Sequence, residues 1–548
     1  MSANPPMRRF PVVVAAALLA SCGGAPQPVD TVFVNGKIVT LDEDDTVATT
    51  LAVHDGRIVA VGDDELLEEY AGAKTVDLEG RVMLPGLVDS HTHVRGQPRR
   101  FVDLTETRSI EALKQQVRDK AAELGPGEWI TGYGWSEDVL AEKRRPLRSD
   151  LDQAAPDNPV SLSRAGGHSA VQNSLALEMA GIYRNTPDPP DGVIERDEEG
   201  ELNGIIREPG QLISRLVPEA SDAELRDSLV AALKQQFEFG ITSLIQAQDT
   251  IEHYAEWERI YDQHRGELPR AAVQVAWEGN GPMQAFGKRT GDGDEYLRVG
   301  AIKVFVDGGF TGPAAYTREP YRGEAEFRGK LNLTELELRQ VVRAAHDAGW
   351  QLGMHAIGDA AIELAVDELV AALEQTPVED HRHYLNHFTV LPSAETMEAM
   401  AEHDIAITQQ PNFTYTLEGR YVDYLDGDRL QRNNALRTPM ERGIHVAISS
   451  DILPIGPMRG IHAAVTRKGM SGEVYGAGEA LGVEEALRAY TVKGAWLTFE
   501  EEEKGTIEED KLADLIVLDR DISTIPPDEI PEVRVVQTWL GGRLVYQR

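Results

Sequence analysis

Short apolar runs broken by turn residues mark the first ordered stretch of the chain: Thr31 to Val34, Lys37 to Leu41, Leu51 to Val53 and Arg57 to Val61, punctuated by Asn35-Gly36 and Asp55-Gly56. Asn-Gly and Asp-Gly accept the left-handed backbone of tight turns, so the pattern predicts hairpins in a small β-domain. The style returns at the other end, in Ala513 to Leu518, Val533 to Leu540, Gly541-Gly542 and Arg543 to Tyr546. Neither end has enough strands for a stable sheet alone. Residues 31–84 and 499–548 are therefore expected to pair into one β-sandwich.

Between them the periodicity changes to helix, glycine, buried strand. Ser221-Asp222-Ala223-Glu224 reads as a capping box opening a helix with Leu225, Leu229, Leu233 and Phe237 on one face; Gly240 ends it and Ile241 to Ile245 is a strand. Thr334-Glu335-Leu336-Glu337 repeats the device, with Gly349 before the strand that ends at His355, and Gly443 precedes another strand, Ile444 to Ser449. Such βα units predict a parallel sheet, and without a glycine-rich phosphate loop after a strand, a (β/α)8 TIM-like barrel over residues 85–498 fits better than a doubly wound sheet. Residues from about 95 to 218 interrupt the alternation and read as an insertion of loops with one helix, Ile110 to Leu124, over the barrel mouth.

The chain's 548 residues, 41% hydrophobic and 26% charged, are those of a globular protein with more than one domain. Ninety-one acidic residues against 54 basic ones give a net charge of −37, which repels phosphate backbones and argues against nucleic acid as a partner. Residues 1–21 have the form of a signal peptide: Arg8-Arg9, an apolar run from Pro11 to Ala20, then small residues. Leu19-Ala20-Ser21-Cys22 resembles the bacterial lipoprotein box, and residues 22–30 would be a tether. Cys22 is the single cysteine, which excludes internal disulfides, thiolate metal sites and cysteine nucleophiles in the body of the chain. The expectation is a protein of the cell envelope, held to the membrane by lipid on Cys22, facing the periplasm or the exterior.

Candidate chemistry begins where the apolar run Val82 to Val88 leads into His91-Thr92-His93. Side chains alternate along a strand, so the two imidazoles share a face and converge, as a metal site requires. Lys303 sits inside the apolar strand Val299 to Val306, where a lone ammonium is costly to bury. By alternation it points into the barrel. His355, His387 and Asp451 each end a predicted strand, the edge at which barrel active sites are built. His168 and Trp135, from the insertion, are candidate substrate contacts.

Taken together, Pro85-Gly86-Leu87-Val88-Asp89-Ser90-His91-Thr92-His93, Lys303 to Gly308, His355-Ala356-Ile357-Gly358-Asp359, the His387 segment, Ser450-Asp451 and Gly166 to Leu177 resemble the metal-dependent amidohydrolase superfamily, in its YtcJ-like branch, amidohydrolase family 3. The resemblance implies a metal site of His91, His93, His355, His387 and Asp451, holding one or two divalent ions, zinc by expectation, with Lys303 carboxylated as a bridging ligand. It also implies hydrolysis of a C–N bond in a small amide-type molecule by a metal-activated hydroxide, with Asp451 and His168 as catalytic residues. A homodimer is compatible with it. Two alternatives remain at this level: a mononuclear, deaminase-like site in which Lys303 stays an amine, and a silent lipid-anchored binding protein. Three positions depart from the family pattern: Asn386 stands where an acidic residue is common, Gly166 where aspartate is usual, and one extra residue precedes Pro454.

Overall fold

The computed structural model describes residues 29–548 apart from 67–69, 71–72, 138, 166–168, 190–191, 208–211 and 453–454. The signal segment, Cys22 and His168 therefore lie outside the described residues. Eight strands form the central sheet in chain order: Leu87–Thr92, Ile241–Asp249, Arg270–Ala276, Leu297–Phe305, Leu352–Ala356, Tyr384–His387, Ala406–Gln409 and Val446–Ile448. Every neighbouring pair is parallel. The first and last strands meet at the top, where Thr92 bridges Asp451 and Ser90 Oγ donates to Ile448 O at 3.0 Å. The sheet is thus a (β/α)8 barrel, the fold class that the alternating pattern predicts.

Strand alternation explains why it closes. Val304, Met354, Leu385, Ile407 and Val446 point outward into the core shared with the helices. Ile245, Ala272, Ala301, Tyr384, Ala406 and Ala447 point inward and fill the barrel's lower interior, mostly with small side chains. The helices start where the sequence marks them. Thr334 and Glu337 form the reciprocal capping box, whereas Ser221 caps in one direction only, because the Glu224 carboxylate accepts from Arg99 N instead.

Both chain ends contribute to the β-domain. A four-stranded sheet orders Arg57–Gly62, Thr50–His54, Thr31–Val34 and Lys74–Asp77; a six-stranded one orders Arg543–Gln547, Val535–Leu540, Leu515–Leu518, Val82–Pro85, Lys37–Val39 and Val47–Ala48. Phe33, Leu51, Met83, Leu515 and Trp539 fill the space between them. Asp55-Gly56 and Gly541-Gly542 make tight hairpin turns with positive φ at both positions. Asn35-Gly36 does not. It carries the chain from one sheet to the other, because Thr31–Val34 pairs with Lys74–Asp77 while Lys37–Val39 pairs with Val82–Pro85, so two neighbouring strands change sheets side by side. The close crossing explains Gly36: a Cβ there would lie 2.5 Å from Leu78 Cδ1.

The insertion also differs from expectation. Instead of loops with one helix it holds a six-stranded sheet, with Phe101–Asp103, Ile130–Trp135 and Val160–Arg164 parallel and Ser169–Gln172, Leu202–Arg207 and Val193–Arg196 added antiparallel. These strands are short and interrupted by polar residues, which hides them among turn signals. The sheet has its own core, and Trp135 is part of it. Read from sequence as a candidate substrate contact, Trp135 is instead fully buried and its indole N–H donates to Leu162 O at 2.8 Å.

Candidate metal centre

The barrel's upper rim gathers residues from five strands and the turns after them. His91 lies next to the last residue of its strand, at a register shift in the pairing with the neighbouring strand, and His93 follows directly beyond the strand. Lys303 lies one pair below the rim, opposite Gly353, while Phe305 pairs with His355 and His355 with Asn386. His387 and Asp451 have φ of 81° and 59°. Non-glycine residues rarely hold this left-handed conformation, and here it turns both side chains inward at strand ends.

One compact donor group results, with two further histidines beside it. His91, His93 and Asp451 bring one donor atom each within 4.8 Å of one another, with His93 Nε2 3.6 Å from Asp451 Oδ1. His387 joins this group to His355, its ring centroid lying 4.8 Å from that of His91 and 4.4 Å from that of His355. Lys303 is buried among them, its Nζ 4.9 Å from the Phe305 ring centre. His91 Nε2, His355 Nε2 and Lys303 Nζ are buried with no hydrogen-bond partner among the described residues. Leaving such atoms unpaired is costly, and a divalent cation suits the imidazole and carboxylate donors present. The donor set therefore fits a metal.

Side chains behind the rings decide which nitrogen faces inward. His91 Nδ1 meets Asn386 Oδ1 at 2.5 Å, and His387 Nδ1 meets Gln410 Oε1 at 2.6 Å. A carbonyl oxygen only accepts, so both rings carry their proton on Nδ1 and keep the Nε2 lone pair for a ligand. Asn386, which departs from the family pattern, thus has a structural use. Asp89 and Asp307 belong to the sequence motifs and hold turns at the rim. Asp89 Oδ1 accepts from Ser450 N at 3.1 Å, tying the first strand to the Asp451 turn. Asp307 accepts from Tyr316, Ile357 and Gly358 N–H groups at 2.8, 3.0 and 2.9 Å, fixing the turns after two strands. Gln410 is not legible in the sequence, since an isolated glutamine beyond a strand carries no spacing signal.

Burial dominates the electrostatics. It pulls Lys303 down to about 7 against the attraction of Asp451, and pushes Asp451 up to about 6 against the attractions of Lys303 and Arg95. Burial, helped by the Lys303 charge, holds His93 and His355 down at about 3. All four imidazoles are thus kept neutral, the state in which they ligate metals.

Comparison with known proteins agrees with this geometry. A family model described as the amidohydrolase family matches residues 74–546. YtcJ of Bacillus subtilis, named as an amidohydrolase, is 32% identical over 531 residues, spanning 94% of this chain and 98% of its own. The N-substituted formamide deformylase of Arthrobacter pascens is 28% identical over 545 residues, spanning 95% and 98%. Among solved structures, a metal-dependent hydrolase from Pyrococcus horikoshii superposes with a TM-score of 0.70 at 25% identity, covering 91% of this chain and 99% of that one.

Proposed function

The chain belongs to the amidohydrolase family, and on that premise we propose that it hydrolyses a C–N bond of a small N-substituted amide at the rim formed by His91, His93, Lys303, His355, His387 and Asp451. The observation that carries this reading is the convergence of unpaired imidazole nitrogens with one carboxylate at the open end of the barrel. A divalent metal, zinc by the chemistry of these donors, supplies acidity toward water and polarises a carbonyl when bound. The protein's own part is proton transfer and orientation. Asp451, with its affinity for protons raised toward neutrality, accepts a proton from the attacking water and returns it to the leaving nitrogen. Asn386 and Gln410 keep His91 and His387 aligned through Nδ1.

Lys303 enters this reading as a carbamate. Its amine, readily neutral because burial lowers its proton affinity, adds to carbon dioxide, forming an N–C bond and releasing a proton to solvent. The product is an anion, which would remove the cost of a buried cation and would serve as an oxygen ligand to metal beside the histidines. A second reading rests on the His91, His93 and Asp451 cluster, which can hold a single ion by itself while Lys303 stays an amine; counting metals separates the two. The formamide-cleaving relative makes N-substituted formamides the first panel to assay. Hydrolysis that stops with a chelator and returns with zinc supports the proposal. A zinc-loaded protein inert toward formamides, acetamides and cyclic amides contradicts it.

We also propose a lipid anchor on Cys22 at the cell envelope, supported by the apolar signal-like segment ending at the single cysteine. Mass spectrometry of the native N-terminus tests it: a diacylglyceryl group on Cys22 is expected, and an unmodified cysteine contradicts it.

A further inference from the structure

Beneath the rim, side chains from three strand ends form a hydrogen-bonded series that is buried throughout. Gln410 Nε2 donates to Ser449 Oγ at 2.8 Å, Ser449 and Thr408 hydroxyls lie 3.1 Å apart, Thr408 and Ser90 hydroxyls 2.5 Å apart, and Ser90 Oγ lies 3.0 Å from Ile448 O. Ser90, Thr408, Ser449 and Gln410 are each 0% exposed. The links are therefore sequestered from bulk solvent.

The series has one direction, readable from its far end. The Ile448 carbonyl can only accept, so Ser90 donates to it and must accept from Thr408. Thr408 then spends its proton on Ser90. Ser449 divides its single proton between Thr408 Oγ1 at 3.1 Å and Gln409 O at 3.3 Å, so it has none for Gln410 and accepts from the Gln410 amide. That places the Gln410 NH2 toward Ser449 and the Thr408 carbonyl, 3.4 Å away, and turns Gln410 Oε1 toward His387. A rotated amide would set NH2 against His387 Nδ1 and move the ring proton to Nε2, where it would block a metal.

We propose that Gln410, Ser449, Thr408 and Ser90 act as a one-way hydrogen-bond wire, ending on the Ile448 carbonyl, that fixes the His387 tautomer for metal binding. These are positioning residues: Thr408 and Ser449 act on the metal through Gln410 and His387. The inference rests on the reading of the rim as a metal centre and deepens it.

The test uses the full chain stripped of metal, with zinc affinity measured by competition against a chromophoric chelator and geometry by the visible spectrum of the cobalt-loaded protein. Thr408→Val and Ser449→Ala each remove one hydroxyl and are expected to weaken zinc binding about 10–100-fold, the range for lost outer partners of a ligating histidine. Thr408→Ser keeps the hydroxyl and restores binding. Gln410→Glu offers an acceptor oxygen at both ends, so Thr408→Val placed in that background should leave affinity unchanged, a result that general damage to folding would not give. A wild type that takes up zinc alongside Thr408→Val and Ser449→Ala variants of equal affinity and identical cobalt spectrum overturns the wire alone. A wild type that takes up no zinc overturns the metal-centre reading and the wire with it.

Discussion

His91 and Asn386, 295 residues apart in the chain, meet at 2.5 Å through Nδ1 and Oδ1 inside the barrel. The contact gives Asn386 a role that its chemistry alone does not announce. A neutral amide orients the imidazole as a carboxylate would, yet adds no negative charge to a centre that already holds Asp451.

Replacing that amide should reveal which property matters. Asn386→Leu removes the acceptor, and metal affinity and kcat/KM are expected to fall about 10–100-fold. Asn386→Asp keeps an acceptor and should bind metal at least as tightly as wild type. Zinc titration of the stripped proteins checks both. Equal affinity in the leucine variant would show that His91 is held by packing instead.

Much of this site is legible in the sequence because strand geometry is local. His91 and His93 follow from alternation, Lys303 is conspicuous as a cation in an apolar run, and His355, His387 and Asp451 stand at strand ends. Asn386 and Gln410 are different. Their partners come from closure of the barrel, and no spacing along the chain encodes the encounter. The insertion escaped for another reason: its strands run three to six residues, as in Phe101–Asp103 and Leu202–Arg207, too short for a clear period. Asn35-Gly36 shows that turn chemistry specifies backbone conformation but not which strands become neighbours.

Lys303→Ala should lose hydrolysis and metal together, because it removes the amine whose charge acts on all four histidines and Asp451. If the native group is a carbamate, acetate or propionate supplied in solution can occupy the space and restore part of both. Loss of activity with metal content unchanged, and no response to either acid, would contradict the bridging role.

The barrel and β-domain are joined by a buried pair, in which Arg270 donates to both Asp514 oxygens at 2.7 and 3.1 Å. Asp514→Ala leaves the buried guanidinium with only the Glu295 carboxylate, at 3.9 Å, as a charge partner and should cost about 3 kcal/mol of stability. Arg270→Met combined with Asp514→Leu should recover most of it. Denaturant unfolding of the three variants checks the ordering.

His383, just before the strand whose other end carries His387, gives the fold a dependence on pH. Its Nδ1 accepts from Leu352 N at 3.1 Å, its Nε2 lies 2.9 Å from His346 Nδ1, and burial followed by the His381 and His346 charges keeps its proton affinity well below the ordinary value. Because the folded value is depressed, the unfolded chain takes up the proton first. The stabilisation is present above the unfolded value and is lost as pH falls below it, at about 1.4 kcal/mol for each unit below about 6.5. Unfolding at pH 7.5 and 5.5 should show this extra loss in metal-free wild type and not in His383→Gln. Equal losses in both would refute it.

Metal counting with simultaneous assay tests the central claim most directly. Stripped protein is titrated with zinc, and bound ions per chain are plotted against the rate of hydrolysis of an N-substituted formamide or another amide from the panel. Two ions per chain are predicted, with no hydrolysis at zero metal and a rise to saturation as the centre fills. Undiminished hydrolysis by the stripped protein, or a filled centre that cleaves no amide, would contradict the account.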